Sequence, residues 1–423
     1  MRFLLQRCLA ALARLVLWRR RPLIVAITGS VGKTSTREAI FSVLKSKYRV
    51  RRSEKNYNTE IGVPLAILGI PHYGRNIFKW PSALIRVAIR VFFRDQNFRE
   101  ILVLEMGADR PGDIAYLTRL APPLVGVVTA IGQVPVHVEF FGGPKELALE
   151  KSALIAALPP EGYAVLNCDD DAVMAIASRT NAHILSYGFR GDAAVHVRNY
   201  ALHGDGAPSG IRFEIEHGGA VAAVHLRNTF GKPQALAAAA AAAVGRALNM
   251  SLDEIARSLA HYESPPGRLK LLRGGKGTLI LDDTYNASPA AALAALEVLE
   301  DVPAKRRIAV LGDMLELGAY TEIAHRRIGE RVAGIADVFI GVGERMKFAL
   351  DEARRIGRPI ETYGYPTSSE AGAELEKLLQ PGDVALVKGS QGVRMERVVL
   401  EVMAEPQRAN ELLVRQTVDW QKR

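Results

Sequence analysis

The 423-residue chain is long enough for two or three domains, and its 48% of hydrophobic residues excludes global disorder. Two cysteines, Cys8 and Cys168, cannot build a disulfide framework or a thiolate metal cluster, which favours a reducing, cytoplasmic setting. The net charge of +10 is concentrated in residues 1–99, which hold 20 Lys and Arg against 4 Asp and Glu and so indicate an anionic partner.

Residues 1–22 are predicted to form a basic amphipathic helix. Arg7 and Arg14 interrupt its apolar run, which argues against a transmembrane span, and the absence of a small-residue cleavage site argues against a signal peptide. The apolar face would consist of Leu4, Leu5, Cys8, Leu9, Leu12, Leu15 and Val16. Such a helix can lie in an anionic lipid interface or pack on its own domain, and the sequence leaves both open.

A strand, a glycine loop and a helix are predicted next, at the start of a central domain of residues 23–266. The strand covers residues 23–28, the loop is GSVG, and the helix begins at Lys33. Glycine lets backbone N–H groups approach phosphate oxygens, and the helix N-terminus favours negative charge. Lys33 would reach the β- and γ-phosphates, and the Thr34 hydroxyl would ligate Mg²⁺. Ile27 stands where the general phosphate-loop motif has glycine.

Alternation of strands and helices continues along the chain. Apolar runs at 101–105, 124–129 and 163–167 predict buried strands of a mainly parallel sheet. Residues 186–228 alternate apolar and polar side chains between glycine-rich turns, which predicts a small antiparallel sheet appended to the domain. After the break ESPPGR, a second doubly wound domain is predicted over residues 267–423, with strands near 278–282, 307–311, 337–341, 360–363 and 383–387.

A second basic amphipathic segment is predicted at residues 75–98. It carries Arg86, Arg90 and Arg94 at a spacing of four residues, and its aromatic side chains are Trp80, Phe92 and Phe93 among others. Together with the N-terminal helix it would either dock on the inner face of the membrane or pack within the protein.

Metal-binding side chains are expected at the carboxyl edge of the parallel sheet. Glu105 ends one predicted strand, and His137 and Glu139 follow another. Taken singly, a carboxylate at a strand end is as typical of a helix cap as of a metal site, and a single histidine is usually structural.

Nine stretches of the chain, in this order, resemble the ATP-dependent Mur ligases of peptidoglycan synthesis over about residues 23–400. They are ITGSVGKTST, NYNTEIGVPL, LEMGADRPGDI, VHVEFFGG, EKSALI, GRLKLL, DDTYNASP, LGDMLELG and VKGSQGVRME. DDTYNASP and LGDMLELG are specific to the MurF branch, which adds D-alanyl-D-alanine to a UDP-N-acetylmuramoyl-tripeptide. The resemblance implies an α/β fold: a P-loop central domain with the appended antiparallel sheet, followed by a Rossmann-like C-terminal domain.

The resemblance also implies the chemistry. ATP would phosphorylate a carboxylate of a muramoyl-peptide, and the amine of D-Ala-D-Ala would attack the acyl phosphate. Thr34 and Glu105 would hold one Mg²⁺, and a second would be held by His137 and by Lys151 carbamylated with CO₂. The implied catalytic residues are Lys33, Lys151, His137 and Arg268.

The binding residues implied by the resemblance come from several parts of the chain. Nucleotide contacts in the loop would be Gly29, Ser30, Gly32, Lys33, Thr34 and Ser35. Further nucleotide contacts would be Gln234, Arg268, Asp283, Tyr285, Asn286 and His325. Contacts to the acyl substrate would be Asn56, Asn58 and Thr59.

Two departures from the family pattern limit what the resemblance implies. The family has asparagines that read adenine before its alanine-rich helix, and this chain has Pro233, Gln234 and Ala237 at the histidine and asparagine positions of that motif. Only the basic helix precedes the phosphate loop, so the usual N-terminal domain that binds the UDP-sugar is expected to be missing. The sequence therefore leaves open whether the acyl substrate carries UDP or a lipid.

Other functions stay open as alternatives. The chain could be a Mur-like ligase for another carboxylate, as in folate-type polyglutamylation or capsule polymers, or a catalytically silent scaffold at the membrane. A nucleic-acid partner is not expected, because the positive charge is concentrated in amphipathic helices and the chain contains no recognised nucleic-acid motif.

Overall fold

The structure is a computed structural model that describes residues 2–53, 57–74, 79–92, 100–135, 138–204, 208–357, 359–417 and 420. Its described part contains two sheets, one of nine strands and one of six. Each sheet is covered by helices on both faces, as expected for doubly wound α/β domains.

The central sheet begins with six parallel strands. They are β1 (Leu23–Thr28), β2 (Val50–Arg52), β3 (Ile101–Glu105), β4 (Val125–Val128), β5 (Tyr163–Asn167) and β6 (His183–Gly188). Three more strands follow, β7 (Val195–His203), β8 (Gly210–His217) and β9 (Ala220–Arg227). The spatial order is β2-β3-β1-β4-β5-β6-β7-β8-β9.

The predicted antiparallel strands are present, but they do not form a separate sheet. The end of β6 pairs in parallel with the start of β7, and β8 and β9 then continue antiparallel. Val195 and Val197 of β7 are buried in the same hydrophobic cluster as Tyr187 of β6. Because the two segments share one core, the small sheet is an extension of the main one.

Nine helices belong to the described part of the first 260 residues. They are α1 (Arg2–Arg20), α2 (Lys33–Leu44), α3 (Gly62–Leu68), α4 (Lys79–Phe92), α5 (Asp113–Leu120), α6 (Pro144–Ala156), α7 (Asp171–Met174), α8 (Lys232–Ala247) and α9 (Leu252–Leu259).

The two faces of β1 explain where these helices pack. Val25 and Ile27 point into a cluster with α2 and the alanine-rich α8, whereas Ile24 and Ala26 point into a cluster with α1, α3 and α5. A strand buried on both faces has a continuous apolar sequence, which is why LIVAIT does not alternate. The methyl side chains of α8 are almost all buried, so this helix can lie close to α2 and the sheet.

The C-terminal sheet is parallel except for one edge strand. Its strands are β10 (Lys270–Arg273), β11 (Leu279–Asp283), β12 (Arg307–Gly312), β13 (Val338–Val342), β14 (Glu361–Tyr365) and β15 (Val384–Lys388), in the order β10-β11-β15-β12-β13-β14. The five strands predicted after the break are all present. The antiparallel edge strand β10 and the short β2 were not predicted.

The helices of the C-terminal part complete the fold. They are α10 (Pro289–Asp301), α11 (Thr321–Ile335), α12 (Met346–Arg355), α13 (Ser368–Leu378), α14 (Glu396–Val402) and α15 (Ala409–Leu412). Among the residues that the structure describes, no helix combines the length and the apolar character that crossing a bilayer requires.

The basic N-terminal helix packs on its own domain along one side. Leu9 and Val16 are buried in the cluster that includes Trp80 and Val87 of α4, and α1 contacts α3, α4 and α5. Packing within the protein, which was one of the two alternatives, therefore accounts for that side of α1.

Candidate active site

The phosphate loop connects β1 to α2 and has the left-handed backbone that its glycines allow. Gly32 has φ +88° and Gly29 has φ +143°, and a Cβ on Gly29 would lie 2.0 Å from Thr129 Oγ1. Ile27, the departure from the general motif, lies fully buried inside β1. The turn therefore starts at Gly29, after the strand has ended.

Backbone N–H groups of the loop divide into two sets. Those of Ser30 and Val31 donate to the carbonyl of Ala130, at 2.6 and 3.3 Å, which anchors the loop to the segment after β4. The first N–H groups of α2 have no carbonyl partner within their own helix and carry the positive end of its dipole. Anion binding thus falls to the start of α2.

Two lysines converge on one carbonyl beside this helix N-terminus. Lys33 Nζ donates to Gly29 O at 2.7 Å, and Lys151 Nζ of α6 donates to the same oxygen at 3.2 Å. Burial lowers the pKa of Lys33, while the nearby Glu105 carboxylate counteracts this shift. Burial, and then the charge of Lys33, lower the pKa of Lys151 to about 7. A pKa of about 7 makes the Lys151 amine readily neutral near physiological pH.

A carboxylate and a hydroxyl lie together at the carboxyl ends of β3 and β1. Thr34 Oγ1 donates to Glu105 Oε2 at 3.3 Å, and Arg37 Nη1 lies 3.3 Å from the same carboxylate oxygen. Both side chains are buried, with relative exposures of 8% for Thr34 and 4% for Glu105. Two hard oxygen ligands at the start of a phosphate-binding helix suit Mg²⁺.

The C-terminal domain contributes an arginine to this group. Arg268 Nη2 donates to Thr34 Oγ1 at 3.3 Å, and its Cζ atom lies 3.9 Å from the centroid of the Tyr285 ring. Arg268 stands just after the break between the domains, behind Gly267, whose N–H donates to Asp282. It therefore joins the two domains at the phosphate loop.

A cavity of about 300 Å³ lies between the domains over these residues. Its lining residues are Ser30, Val31, Gly32, Lys33, Thr34, Asn58, Glu105, Asp109, Arg268, Tyr285, Asn286, Ala287, Ser288, Ala291 and Gln391. Within the described part of the chain, the buried Ser30 Oγ and Arg268 Nε have no hydrogen-bond partner. Unpartnered hydrogen-bonding groups around an anion-binding helix N-terminus fit a nucleotide phosphate chain with Mg²⁺.

A larger cavity of about 660 Å³ adjoins the first. The two share Thr34, Arg268, Tyr285 and Gln391, and the second is also lined by residues of the C-terminal end such as Arg415. Two compartments that meet at one hydroxyl and one guanidinium can bring a phosphate donor and a second substrate together.

The structure brings most of the predicted phosphate and metal residues together. Residues of the predicted set that line the first cavity are Ser30, Gly32, Lys33, Thr34, Asn58, Glu105, Arg268, Tyr285 and Asn286. Gly29 and Lys151 lie beside it through the shared carbonyl. Asn56 and His137 lie outside the described residues.

Four predicted nucleotide residues occupy other positions. Gln234 is buried: its Nε2 donates to Ser264 and to the carbonyl of Arg268, and its Oε1 accepts from Tyr262. With these bonds Gln234 connects the central domain to the break before the C-terminal domain, and its contact with adenine stays a prediction. Ser35 is also buried, next to Gln234 Nε2 at 3.4 Å.

Asp283 and His325 are bound within the C-terminal domain. Asp283 forms a buried ion pair with Lys388 at 2.5 Å, and Lys388 also donates to the carbonyl of Asn286. His325 Nε2 accepts the N–H of Met314 at 3.1 Å, and burial lowers its pKa. Asp283 thus supports the cavity wall from behind, and His325 lies in the core.

Thr59 has a local role in the structure, because its Oγ1 accepts the N–H of Gly62 at the start of α3. Six residues that line the first cavity were not predicted as site residues: Val31, Asp109, Ala287, Ser288, Ala291 and Gln391. A signal existed for Asp109 and Gln391, since they stand in the quoted stretches LEMGADRPGDI and VKGSQGVRME.

Comparisons with known proteins find relatives for both halves of the chain. The profile of the Mur ligase middle domain matches residues 85–245, and that of the Mur ligase glutamate ligase domain matches residues 267–391. A UDP-N-acetylmuramoyl-tripeptide–D-alanyl-D-alanine ligase of Synechocystis is 30% identical over 92% of this chain and 76% of its own length. The chain thus spans about three quarters of that relative.

Solved structures show the same relationship. The MurF ligase of Thermotoga maritima, determined with ADP, has a TM-score of 0.78 and 31% identity, covering 94% of this chain and 83% of its own. A folylpolyglutamate synthase of Mycobacterium tuberculosis shares the fold with a TM-score of 0.64, but only 17% identity. That second likeness concerns the fold alone.

Proposed function

Because the chain belongs to the Mur ligase family, in its MurF branch, we propose that it is an ATP-dependent ligase that forms an amide bond in peptidoglycan precursor synthesis. It would add D-alanyl-D-alanine, or a similar amino compound, to the carboxylate of a muramoyl-peptide through an acyl phosphate. The observation that carries the proposal is the junction of two cavities at Thr34 and Arg268, in a chain 30% identical to such a ligase.

The residues of the first cavity would bind ATP and position its terminal phosphate. ATP supplies the phosphoryl group and Mg²⁺ neutralises its charge. Lys33 and the N-terminal amides of α2 would hold the phosphates, and Thr34 with Glu105 would hold Mg²⁺. Arg268 adds a cation from the other domain at the point where negative charge develops.

The contact between the domains would also exclude water from the reaction. Arg268 stacks on Tyr285 and bonds to Thr34, so the C-terminal domain covers the phosphate loop. Gln234 keeps the Arg268 carbonyl fixed from the central domain. A reactive phosphorylated carboxylate needs such protection from hydrolysis.

We include the carbamylation of Lys151 and a second Mg²⁺ site in this proposal. Two buried ammonium groups on one carbonyl would repel each other, and within the described residues Lys151 has no carboxylate ion pair. Conversion of Lys151 to a carbamate replaces that repulsion by attraction to Lys33 and creates a metal ligand beside the loop. His137 would be the second ligand of that metal.

A carbamate on Lys151 is expected to give a ¹³C signal in ¹³C-bicarbonate buffer. The signal should weaken as the pH is lowered from about 8 to about 6, because the neutral amine that reacts with CO₂ becomes scarce below the Lys151 pKa of about 7. Lys151→Ala should lack the signal, and Lys145→Ala, which alters an exposed lysine of the same helix, should keep it. An identical signal in both variants would assign the carbamate elsewhere.

Two alternatives compete with this proposal. A ligase for another carboxylate would share the fold, but the likeness to a folylpolyglutamate synthase is much weaker in sequence. A catalytically silent scaffold has no need of Lys33, Thr34, Glu105 and Arg268 around one cavity. Both observations favour the peptidoglycan ligase.

Phosphate release tests the function directly. With ATP, Mg²⁺ and D-alanyl-D-alanine, we expect phosphate release that depends on a muramoyl-tripeptide. This substrate carries UDP in one series and lacks it in another. Product mass identifies the new amide bond. No release with any muramoyl-tripeptide would reject the proposal, and release with a folate or capsule-type acceptor instead would identify the first alternative.

The proposal places the enzyme in the cytoplasm, where ATP is available. It includes a peripheral contact with the inner face of the membrane, made by the N-terminal helices.

A further inference from the structure

Helices α1 and α4 leave large apolar side chains exposed on their outer sides. On α1, Leu4 and Trp18 are 67% and 69% exposed, and on α4, Ile85 and Ile89 are 59% and 50% exposed. Positions 4 and 18 are two heptads apart and so lie along nearly the same stripe of α1. Residues 85 and 89 are one helical turn apart. α1 and α4 contact each other, so the two stripes lie on neighbouring helices.

This surface overlaps only in part with the apolar face that the sequence pattern indicated, since Leu4 belongs to both and Trp18 does not. Leu9 and Val16, from the middle of the predicted apolar face, are buried in the domain core with Ala10 and Ala13. Packing therefore buries the middle of the predicted face, and the outer stripe with Leu4 and Trp18 stays exposed to a partner. Single exposed apolar residues are ordinary on protein surfaces, whereas two stripes on neighbouring helices are not.

The charge on these helices has one sign. The 19 residues of α1 and the 14 residues of α4 contain no Asp or Glu. Arg7, Arg14 and Arg86 are exposed among the apolar side chains. Protein surfaces usually mix both signs of charge, so a wholly basic and partly apolar surface points to an anionic partner with an apolar interior.

We infer that the outer side of α1 and α4 docks on an anionic lipid surface. Leu4, Trp18, Ile85 and Ile89 enter the boundary between headgroups and acyl chains, and the neighbouring arginines meet the lipid phosphates. Tryptophan suits this depth because its ring is amphipathic. The inference refines the membrane contact of the proposed function and does not depend on the ligase reaction.

Both the apolar side chains and the basic residues are needed for stable binding to the membrane. A few apolar side chains hold a protein on a bilayer only weakly, and attraction between basic residues and anionic lipids adds to this and is screened by salt. Binding should therefore need anionic lipid and fall at high ionic strength. A second protein copy would need neither.

Flotation of the full-length protein with vesicles tests the inference. Vesicles of phosphatidylglycerol and phosphatidylcholine should carry the protein upward, and vesicles of phosphatidylcholine alone should not. The double variant Leu4→Ser/Trp18→Ser should bind the anionic vesicles at least about tenfold more weakly. The matched control Ile184→Ser/Ile323→Ser changes exposed apolar residues elsewhere, 45% and 68% exposed, and should bind as the wild type does.

Quenching of tryptophan fluorescence by brominated lipids gives a second measurement, and it needs no substitution that destabilises the protein. Wild-type tryptophan fluorescence should be quenched on anionic vesicles, and Trp18→Phe should lose most of this quenching. Three results would overturn the inference. They are the absence of flotation with anionic vesicles, an equal loss of vesicle binding in both double variants, and an oligomer that only Leu4→Ser/Trp18→Ser disrupts. Ligase activity without vesicles should be unchanged in all these variants, so that failure of docking and failure of the proposed function are distinguishable.

Discussion

Replacing Lys33 by alanine is expected to lower ATP-dependent joining of D-alanyl-D-alanine by at least about a thousandfold. Lys33 is the cation at the start of α2, and its ammonium lies 2.7 Å from the Gly29 carbonyl inside the phosphate loop. Burial lowers the pKa of Lys33, and the Glu105 carboxylate supports its charged form. Removing this charge leaves the developing negative charge of the phosphates without a fixed partner in a site of low dielectric.

The measurement is the rate of phosphate release under saturating substrates, with circular dichroism to verify the fold. Lys45→Ala is a matched control, because Lys45 stands exposed at the other end of the same helix and should keep wild-type activity. A Lys33→Ala enzyme within about tenfold of the wild type would contradict the assignment of the phosphate loop.

Replacing Arg268 by alanine is expected to lower the maximal rate about a hundredfold or more, with a smaller effect on ATP affinity. Arg268 is the C-terminal domain's direct bond to the phosphate loop, through Thr34 Oγ1 at 3.3 Å, and it stacks on Tyr285 at 3.9 Å. Its Nε has no partner within the described residues and remains available to a substrate. The variant loses both a cation at the reacting phosphate and the contact that closes the domains.

Conservative and control variants separate these two effects. Arg268→Lys keeps a positive charge but loses the planar stack on Tyr285, so its rate should fall between those of the wild type and Arg268→Ala. Arg273→Ala changes an exposed arginine of β10, the edge strand that follows Arg268, and should leave the maximal rate unchanged. If Arg268→Ala raised only the KM for ATP and left the maximal rate intact, Arg268 would be a binding residue without a role in the reaction.

Local sequence patterns were sufficient for most of the strands and for the phosphate loop. LIVAIT is apolar throughout because β1 is buried on both faces, and the glycines after it are required by the positive φ of the turn. Thr34 and Glu105 meet because Glu105 ends β3, Thr34 lies in the first turn of the helix after β1, and these two parallel strands pair directly. Such outcomes follow from short-range geometry and the rules of parallel sheets.

Side chains whose role depends on distant packing were not predictable in the same way. The amide of Gln234, which is predicted to contact adenine, bonds to Tyr262, Ser264 and the Arg268 carbonyl at the break between the domains. These partners stand 28 to 34 positions away along the chain, so no local pattern predicts the bonds.

The sequence by itself determined the α/β class, the glycine loop between β1 and α2 and the basic character of the N-terminal helices, since each depends on residues close together in the chain. Only the tertiary structure decided which side of α1 remains exposed, because Leu9 and Val16 are buried by α3, α4 and α5 rather than by anything within α1. It likewise decided that Arg268 reaches Thr34, since that bond joins residues 234 positions apart that only the packing of two domains brings together.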